Sequence, residues 1–197
     1  MTYEFTNGWF NGVKPVWEQI FSKINPTKVL EIGSFEGQST SFIIEQIAKN
    51  LGTVFCIDTW EGGKEHDPKE MPLVEKRFYN NIGYAKSLSD NSVNVIIKKG
   101  YSHIKLVELL NDGHRGTFDL IYVDGSHQAP DVLSDLVLSY QLCKVGGMII
   151  ADNYLWFEGG NPVMEPKLAI DAFTNVYRDK LSVWRAPLYQ MYFTKTA

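Results

Sequence analysis

The chain has 197 residues, enough for one domain with a sizeable core, whereas a second full domain would be cramped. Hydrophobic residues make up 44% and charged residues 21%, and the net charge of −4 comes without any block of Lys and Arg. This balance excludes nucleic acid as an expected partner. No apolar run approaches the ~20 residues that span a bilayer, and residues 1–5 lack the basic and apolar regions of a signal peptide. The expectation is a single cytoplasmic domain over 1–197, without membrane contact. Cys56 and Cys143 read as small buried hydrophobes in a reducing compartment rather than a disulfide.

Residues 1–27 read as an N-terminal helical extension. The first strand-like run, Lys28–Ile32, ends in Glu31-Ile32 and enters Gly33-Ser34-Phe35-Glu36-Gly37-Gln38-Ser39, which opens a helix over Gln38–Lys49. Gly33 and Gly37 stand four apart, so the loop is GxxxG and not the GxGxxG of dinucleotide sites. That spacing argues against a nicotinamide oxidoreductase. No Lys-Ser/Thr follows, which excludes a P-loop. A carboxylate at the mouth, Glu31, suits a ligand with an amino group and no phosphate, such as S-adenosylmethionine. A buried carboxylate paired with a loop amide is the competing explanation for Glu31. For the two glycines it is tight helix–strand packing.

The second strand-like run, Thr53–Ile57, is closed by Asp58, which follows Gly37 by 21 residues. An acidic side chain there can accept both ribose hydroxyls of an adenosine ligand; a loop cap is the structural alternative. Segment 60–81 begins polar and glycine-bearing and reads equally as a lid at the ligand edge of the sheet or as a solvated loop. Within it, Glu65, His66, Asp67 and Glu70 suit a solvated loop better than a second metal site. Asn94–Lys98 is the third strand, and Ser102–Leu110 a helix.

The fourth strand, Asp119–Val123, ends in Asp124-Gly125-Ser126-His127. Pro130–Leu142 follows as a helix, with Val132, Leu133, Leu136 and Tyr140 on one stripe and Asp131 and Asp135 set against it. Gly146-Gly147 ends that connection before the fifth strand, Met148–Ala151, which Asp152-Asn153 closes. Strand ends in such a sheet lie ~5 Å apart, so Asp124, Asp152 and Asn153 can converge. Two carboxylates and an amide oxygen suit Mg²⁺. Turn-forming roles explain the same three residues without a metal. His127 beside such a site could serve as a general base, with helix capping as its ordinary alternative. Lys167–Asp179 reads as a helix, and Ser182–Ala186 with Leu188–Thr194 as an antiparallel hairpin. The five apolar, non-alternating strands and intervening helices predict a doubly wound, mostly parallel α/β sheet of Rossmann-like type.

Together these residues resemble the class I S-adenosylmethionine-dependent methyltransferases, and most closely the small metal-dependent O-methyltransferases. That group includes catechol and macrolide-sugar O-methyltransferases. The carriers are Leu30–Ser39, Ile57-Asp58-Thr59-Trp60, Val123–His127 and Asp152-Asn153-Tyr154. The resemblance implies a seven-stranded sheet with a C-terminal antiparallel hairpin. It implies that Glu31, Gly33 and Ser39 hold the methionine end of the cofactor and Asp58 the ribose. Ser34, Gly37, Thr59 and Asp124 complete that cofactor set, and Gly100-Tyr101-Ser102 forms the adenine-side turn. Asp124, Asp152 and Asn153 would be the metal ligands. His127 stands where catechol enzymes carry a lysine and sugar-modifying relatives a histidine, which favours a sugar or other aliphatic hydroxyl. The expected activity is metal-assisted O-methylation of a small hydroxylated acceptor, with Asp124 and His127 in catalytic roles and a homo-oligomer compatible with it. A metal-independent methyltransferase and a non-catalytic nucleoside-binding module are the alternatives. Trp60, Tyr154 and Trp156 are candidates for the acceptor's walls, with core packing an equal claim for each.

Overall fold

The computed structural model describes residues 2–64, 66–187 and 189–197. Among these, seven strands form a mixed, mostly parallel sheet with helices between them, the Rossmann-like α/β class expected. The chain divides into two compact units, Met1–Gly100 and Tyr101–Ala197. No helix among the described residues is long and apolar enough to cross a membrane.

In the first unit, β1 (Lys28–Ile32), β2 (Thr53–Asp58) and β3 (Asn94–Lys99) run parallel in the order β3-β2-β1. Four of the five β1 residues and the middle four of β2 are buried, which is why these strands show no alternation. Helix α1 (Lys14–Ile24) follows a short 3₁₀ turn and buries Trp17, Ile20 and Phe21. Trp17 meets Phe10 edge-on at 5.0 Å and lies 6.1 Å from Phe42 of α2 (Gln38–Ile47), so the N-terminal residues share this unit's core.

Helix α3 (Met71–Leu88) has no counterpart in the sequence reading, which placed a lid or solvated loop over 60–81. Among the described residues of that segment, 60–64 and 66–70 are loop; Pro72 sits in the helix's first turn, where it needs no amide partner. Met71, Val74, Phe78, Ile82 and Ala85 recur at three- and four-residue steps and are all buried. That stripe is legible in the sequence once the charged residues between its members are assigned to the other face.

In the second unit, β4 (Phe118–Val123) pairs in parallel with β5 (Cys143–Ala151). β7 (Met191–Lys195) runs antiparallel to both β5 and β6 (Leu181–Val183). The expected C-terminal antiparallel pair is therefore present, with strands displaced by a few residues; Leu188, expected to open the second, lies outside the described residues. Helices α4 (Ser102–Asn111), α5 (Ala129–Leu142) and α6 (Pro166–Val176) complete the unit.

Two local expectations fail here. Gly146-Gly147 does not end a connection, because α5 runs directly into β5 and the strand continues through both glycines. A Cβ on Gly147 would stand 2.8 Å from Cys143 Sγ and 3.0 Å from Phe118 O, so the pair permits a shift of register between Phe118 and Leu120. Asp135 does not lie opposite the buried stripe of α5: it is 1% exposed, whereas Leu133 is exposed. Both α4 and α6 pack on α5, so the helix buries more of its circumference than one stripe.

Candidate functional site: a glycine loop and a carboxylate cluster

The loop after β1 belongs to the first unit. Gly33, Phe35 and Gly37 all adopt positive φ, at 85°, 47° and 78°. At Gly37 a side chain is doubly disfavoured, since a Cβ would also stand 3.0 Å from the Phe78 ring. Asp58 fixes this conformation. Its Oδ2 accepts from the amides of Ser34 and Phe35, both at 2.8 Å, and its Oδ1 from the amide of Trp60 at 2.7 Å. Oδ2 is thus filled while Oδ1 keeps one acceptor position. One ribose hydroxyl can add to Asp58 without breaking a loop bond, rather than the two expected.

Glu31 departs further from the sequence reading. Its place in β1, opposite Cys56 of β2, leaves it 0% exposed. Its carboxylate accepts from Ser34 Oγ at 2.7 Å, Ser39 Oγ at 2.5 Å and Thr40 Oγ1. Burial pushes the Glu31 carboxyl up, against those three hydroxyls, which favour its charge. Glu31 thus shapes the loop from beneath through Ser34 and Ser39. Thr59 Oγ1 accepts from the amide of Glu61 at 3.1 Å, and the Gly100 amide donates to Asp58 O at 2.9 Å.

Four loop-fixing residues, Thr6, Glu36, Arg77 and Asn81, escaped the sequence reading. Glu36 is buried and accepts from Arg77 Nε at 2.5 Å and from both the amide and hydroxyl of Thr6, at 2.7 and 2.8 Å. Asn81 donates to Glu36 O at 2.8 Å and accepts from the Glu4 amide at 2.7 Å. Only the contact between 4–6, 36 and 77–81, remote in sequence, reveals them. His66 lies 5.0 Å from the Phe35 ring and accepts from the Gly63 amide at 3.0 Å, so its loop folds back over the glycine turn. Trp60 is not a wall residue: it is 4% exposed, packs on Phe78 at 4.8 Å and donates to Phe35 O at 2.9 Å. Glu65, named with His66, Asp67 and Glu70, lies outside the described residues.

The second unit carries the carboxylates. Val123 of β4 pairs with Ala151 of β5, so Asp124 and Asp152 are the first residues past the ladder on adjacent strands. The Tyr122 hydroxyl lies between them, 2.8 Å from Asp124 Oδ2 and bonded also to Asp152 Oδ2. Asn153, in the left-handed region at φ 60°, aims Nδ2 at Asp124 Oδ1 and at His127 Nε2, each at 2.9 Å. An amide nitrogen only donates, so His127 Nε2 accepts and its lone pair is engaged. The His127 ring lies 4.6 Å from that of Trp156, and Tyr154 donates to Asp171 Oδ1 at 2.8 Å. Burial is the main cause raising the Asp152 carboxyl, opposed by bonds from Tyr122, Gln190 and its neighbour's amide. Sequence reasoning missed Tyr122 and Gln190. The first lies inside the fourth strand-like run and was given no role, and the second is brought in by an antiparallel register with no local signature.

Tyr101 caps α4 in extended conformation and is exposed, while the Ser102 hydroxyl turns inward to the buried carboxyl of Asp135. The Ser102 hydroxyl is therefore engaged within the helix pair. Both cysteines are free and buried, and burial holds the Cys143 thiol up at about 12.

Among the described residues no three His, Cys, Asp or Glu side chains gather as a metal site. What does gather is two carboxylates and an amide, an all-oxygen set of the kind Mg²⁺ takes with several waters. The set fits such a cation on two conditions. Asn153 must make a half-turn to offer its oxygen, and the Tyr122 hydroxyl must share the carboxylates.

A family model described as a methyltransferase domain matches residues 30–154, from the glycine loop to the carboxylate cluster. The chain belongs to this methyltransferase family. The domain is 29% identical over 164 residues to caffeoyl-CoA O-methyltransferase 1 of Eucalyptus globulus, covering 79% of the chain and 55% of that relative. It is 31% identical over 135 residues to a probable caffeoyl-CoA O-methyltransferase 3 of Dictyostelium discoideum, covering 68% and 46%. The methyltransferase domain thus spans about half the length of the curated relatives it matches. Its fold is that of a Bacillus cereus O-methyltransferase solved with SAH, at TM-score 0.65, 18% identity and coverage of 99% and 84%. It also matches TomG, a Streptomyces achromogenes O-methyltransferase solved with SAM, at 0.61, 15%, and coverage of 92% and 78%.

Proposed function

We propose that this protein transfers the methyl group of S-adenosylmethionine to a hydroxyl oxygen of a small molecule, such as a sugar or secondary metabolite, with the help of a divalent cation. The observation that carries the reading is the Asp124–Asp152–Asn153–His127 cluster at two adjacent strand ends, in a chain whose glycine loop matches the methyltransferase family. The names of the relatives solved with SAM and SAH support the donor, and those named for caffeoyl-CoA support an oxygen acceptor.

In this reading the loop at Gly33–Gly37, held by Asp58 from one side and Glu31 from beneath, binds the donor. Asp124, Asp152 and Asn153 hold the cation, which when bound steadies the acceptor oxygen and lowers its pKa. The His127 imidazole takes the hydroxyl proton at Nε2 once Asn153 has turned and ceased to donate to it. The oxygen forms its bond to the methyl carbon as the carbon–sulfur bond breaks, and S-adenosylhomocysteine leaves. Much of the acceleration is positioning of two bound reactants. Trp156, whose ring lies tilted beside that of His127, lines the acceptor's approach.

The test is release of S-adenosylhomocysteine over a panel of hydroxylated acceptors, with sugars, catechols and caffeoyl-CoA as separate arms, with and without EDTA. Turnover with one acceptor class, abolished by EDTA and restored by Mg²⁺, is expected. Turnover that survives EDTA unchanged would remove the cation from the mechanism, and no turnover with any acceptor would leave a binding module.

A further inference from the structure

We infer that Gln190, itself held by Tyr192, is a positioning residue that keeps the Asp152 carboxylate turned toward Asp124. The antiparallel register sets the geometry. Ala151 of β5 pairs with Met191 of β7, so the residues one step beyond each strand, Asp152 and Gln190, are brought together. Gln190 Nε2 donates to Asp152 Oδ2 at 2.9 Å and approaches the Tyr122 hydroxyl at 3.3 Å. Its Oε1 accepts from the Tyr192 hydroxyl at 2.7 Å. Gln190 is 1% exposed and Tyr192 2%.

A buried primary amide is costly wherever packing alone is required, and an apolar side chain of similar volume would fill the space beside β7. Here each end of the amide is instead matched to a partner, which fixes its orientation. The ionised Asp152 carboxylate can only accept, so the nitrogen end of the amide must face it, and the oxygen end takes the proton of Tyr192. The carboxylate of Asp152 is then defined from three directions, by Gln190, by Tyr122 and by the amide of Asn153 at 2.7 Å. Outer partners of this kind orient a metal-binding carboxylate, and their loss typically weakens metal affinity by roughly 10- to 100-fold.

This inference rests on the reading that Asp124 and Asp152 hold a cation, and the experiment separates the two. Mn²⁺ is titrated into the full chain and followed by electron paramagnetic resonance for the wild type, Gln190→Leu and Tyr192→Phe. Melting temperature and S-adenosylhomocysteine affinity are measured in parallel. The wild type is expected to bind one Mn²⁺. Gln190→Leu should weaken binding at least tenfold, and Tyr192→Phe by about threefold, with S-adenosylhomocysteine affinity unchanged in both. A merely structural Gln190 would lower the melting temperature and leave Mn²⁺ affinity intact, which would overturn the inference alone. If Gln190→Leu does not fold, Tyr192→Phe decides, and unchanged Mn²⁺ affinity in it overturns the inference. Absence of Mn²⁺ binding by the wild type would overturn the cation reading and this inference together.

Discussion

Asp135 shows how far a single residue can depart from its sequence pattern. A carboxylate among Val132, Leu133 and Leu136 reads as the solvated face of an amphipathic helix, yet it is buried in α5, with Oδ1 lacking a hydrogen-bond partner. Burial and the nearby charge of Asp131 push its carboxyl up to about 7, against the favourable Ser102 hydroxyl. The folded state therefore binds this proton more tightly than the unfolded chain, whose aspartates titrate near 4. The stabilising contribution is complete below about pH 4 and is lost as pH rises through about 7. The loss is on the order of 3–4 kcal/mol at most. Asp135→Asn should accordingly melt several degrees higher than the wild type at pH 8 and at about the same temperature near pH 4.5, measured by thermal denaturation at both pH values. Parallel pH curves for the two proteins would refute the assignment. Glu31 is the other lesson at this scale. Its identity and place in the motif were readable, but not that three hydroxyls within nine residues would satisfy it internally.

At the scale of elements, the strands were the legible part. The start of β1 and its end agree with the apolar run, and β2 to β4 differ from their runs by one residue at an end, because strands buried on both faces leave an uninterrupted signal. Two elements were not legible for different reasons. The stripe of α3 is interleaved with Glu75, Lys76, Arg77 and Asn81, so its mean polarity hides its period. The full length of β5 was hidden because a glycine pair ordinarily marks a turn, whereas here it lets strand and backbone approach closely. Helix α3 also backs the donor loop, since Phe78 touches both Trp60 and the space a Gly37 side chain would need. Phe78→Ala is expected to cost about 3–4 kcal/mol of stability, read by chemical denaturation, and to weaken donor affinity as the loop relaxes. A stability loss with donor affinity untouched would separate the helix from the loop's conformation. The carboxylate cluster was half legible. Strand-end position predicted Asp124, Asp152 and Asn153, while Tyr122 and Gln190 depend on strand pairing that no local pattern encodes.

For the molecule as a whole, the glycine loop of the first unit and the carboxylate cluster of the second differ in legibility. The family match over 30–154 and the shared fold agree with the glycine motif that points to the donor. Which side chains would meet an acceptor depends on how loops converge rather than on a motif. The central claim is that the Gly33–Gly37 loop binds S-adenosylmethionine, while Asp152 serves the acceptor end. Calorimetric titration of S-adenosylmethionine into the wild type, Gly37→Val and Asp152→Ala tests it most directly. One-site binding by the wild type is expected, with the same affinity within about threefold for Asp152→Ala, and at least a tenfold loss for Gly37→Val in protein that remains folded by circular dichroism. Binding by Gly37→Val equal to the wild type, or NADH bound in place of S-adenosylmethionine, would contradict it.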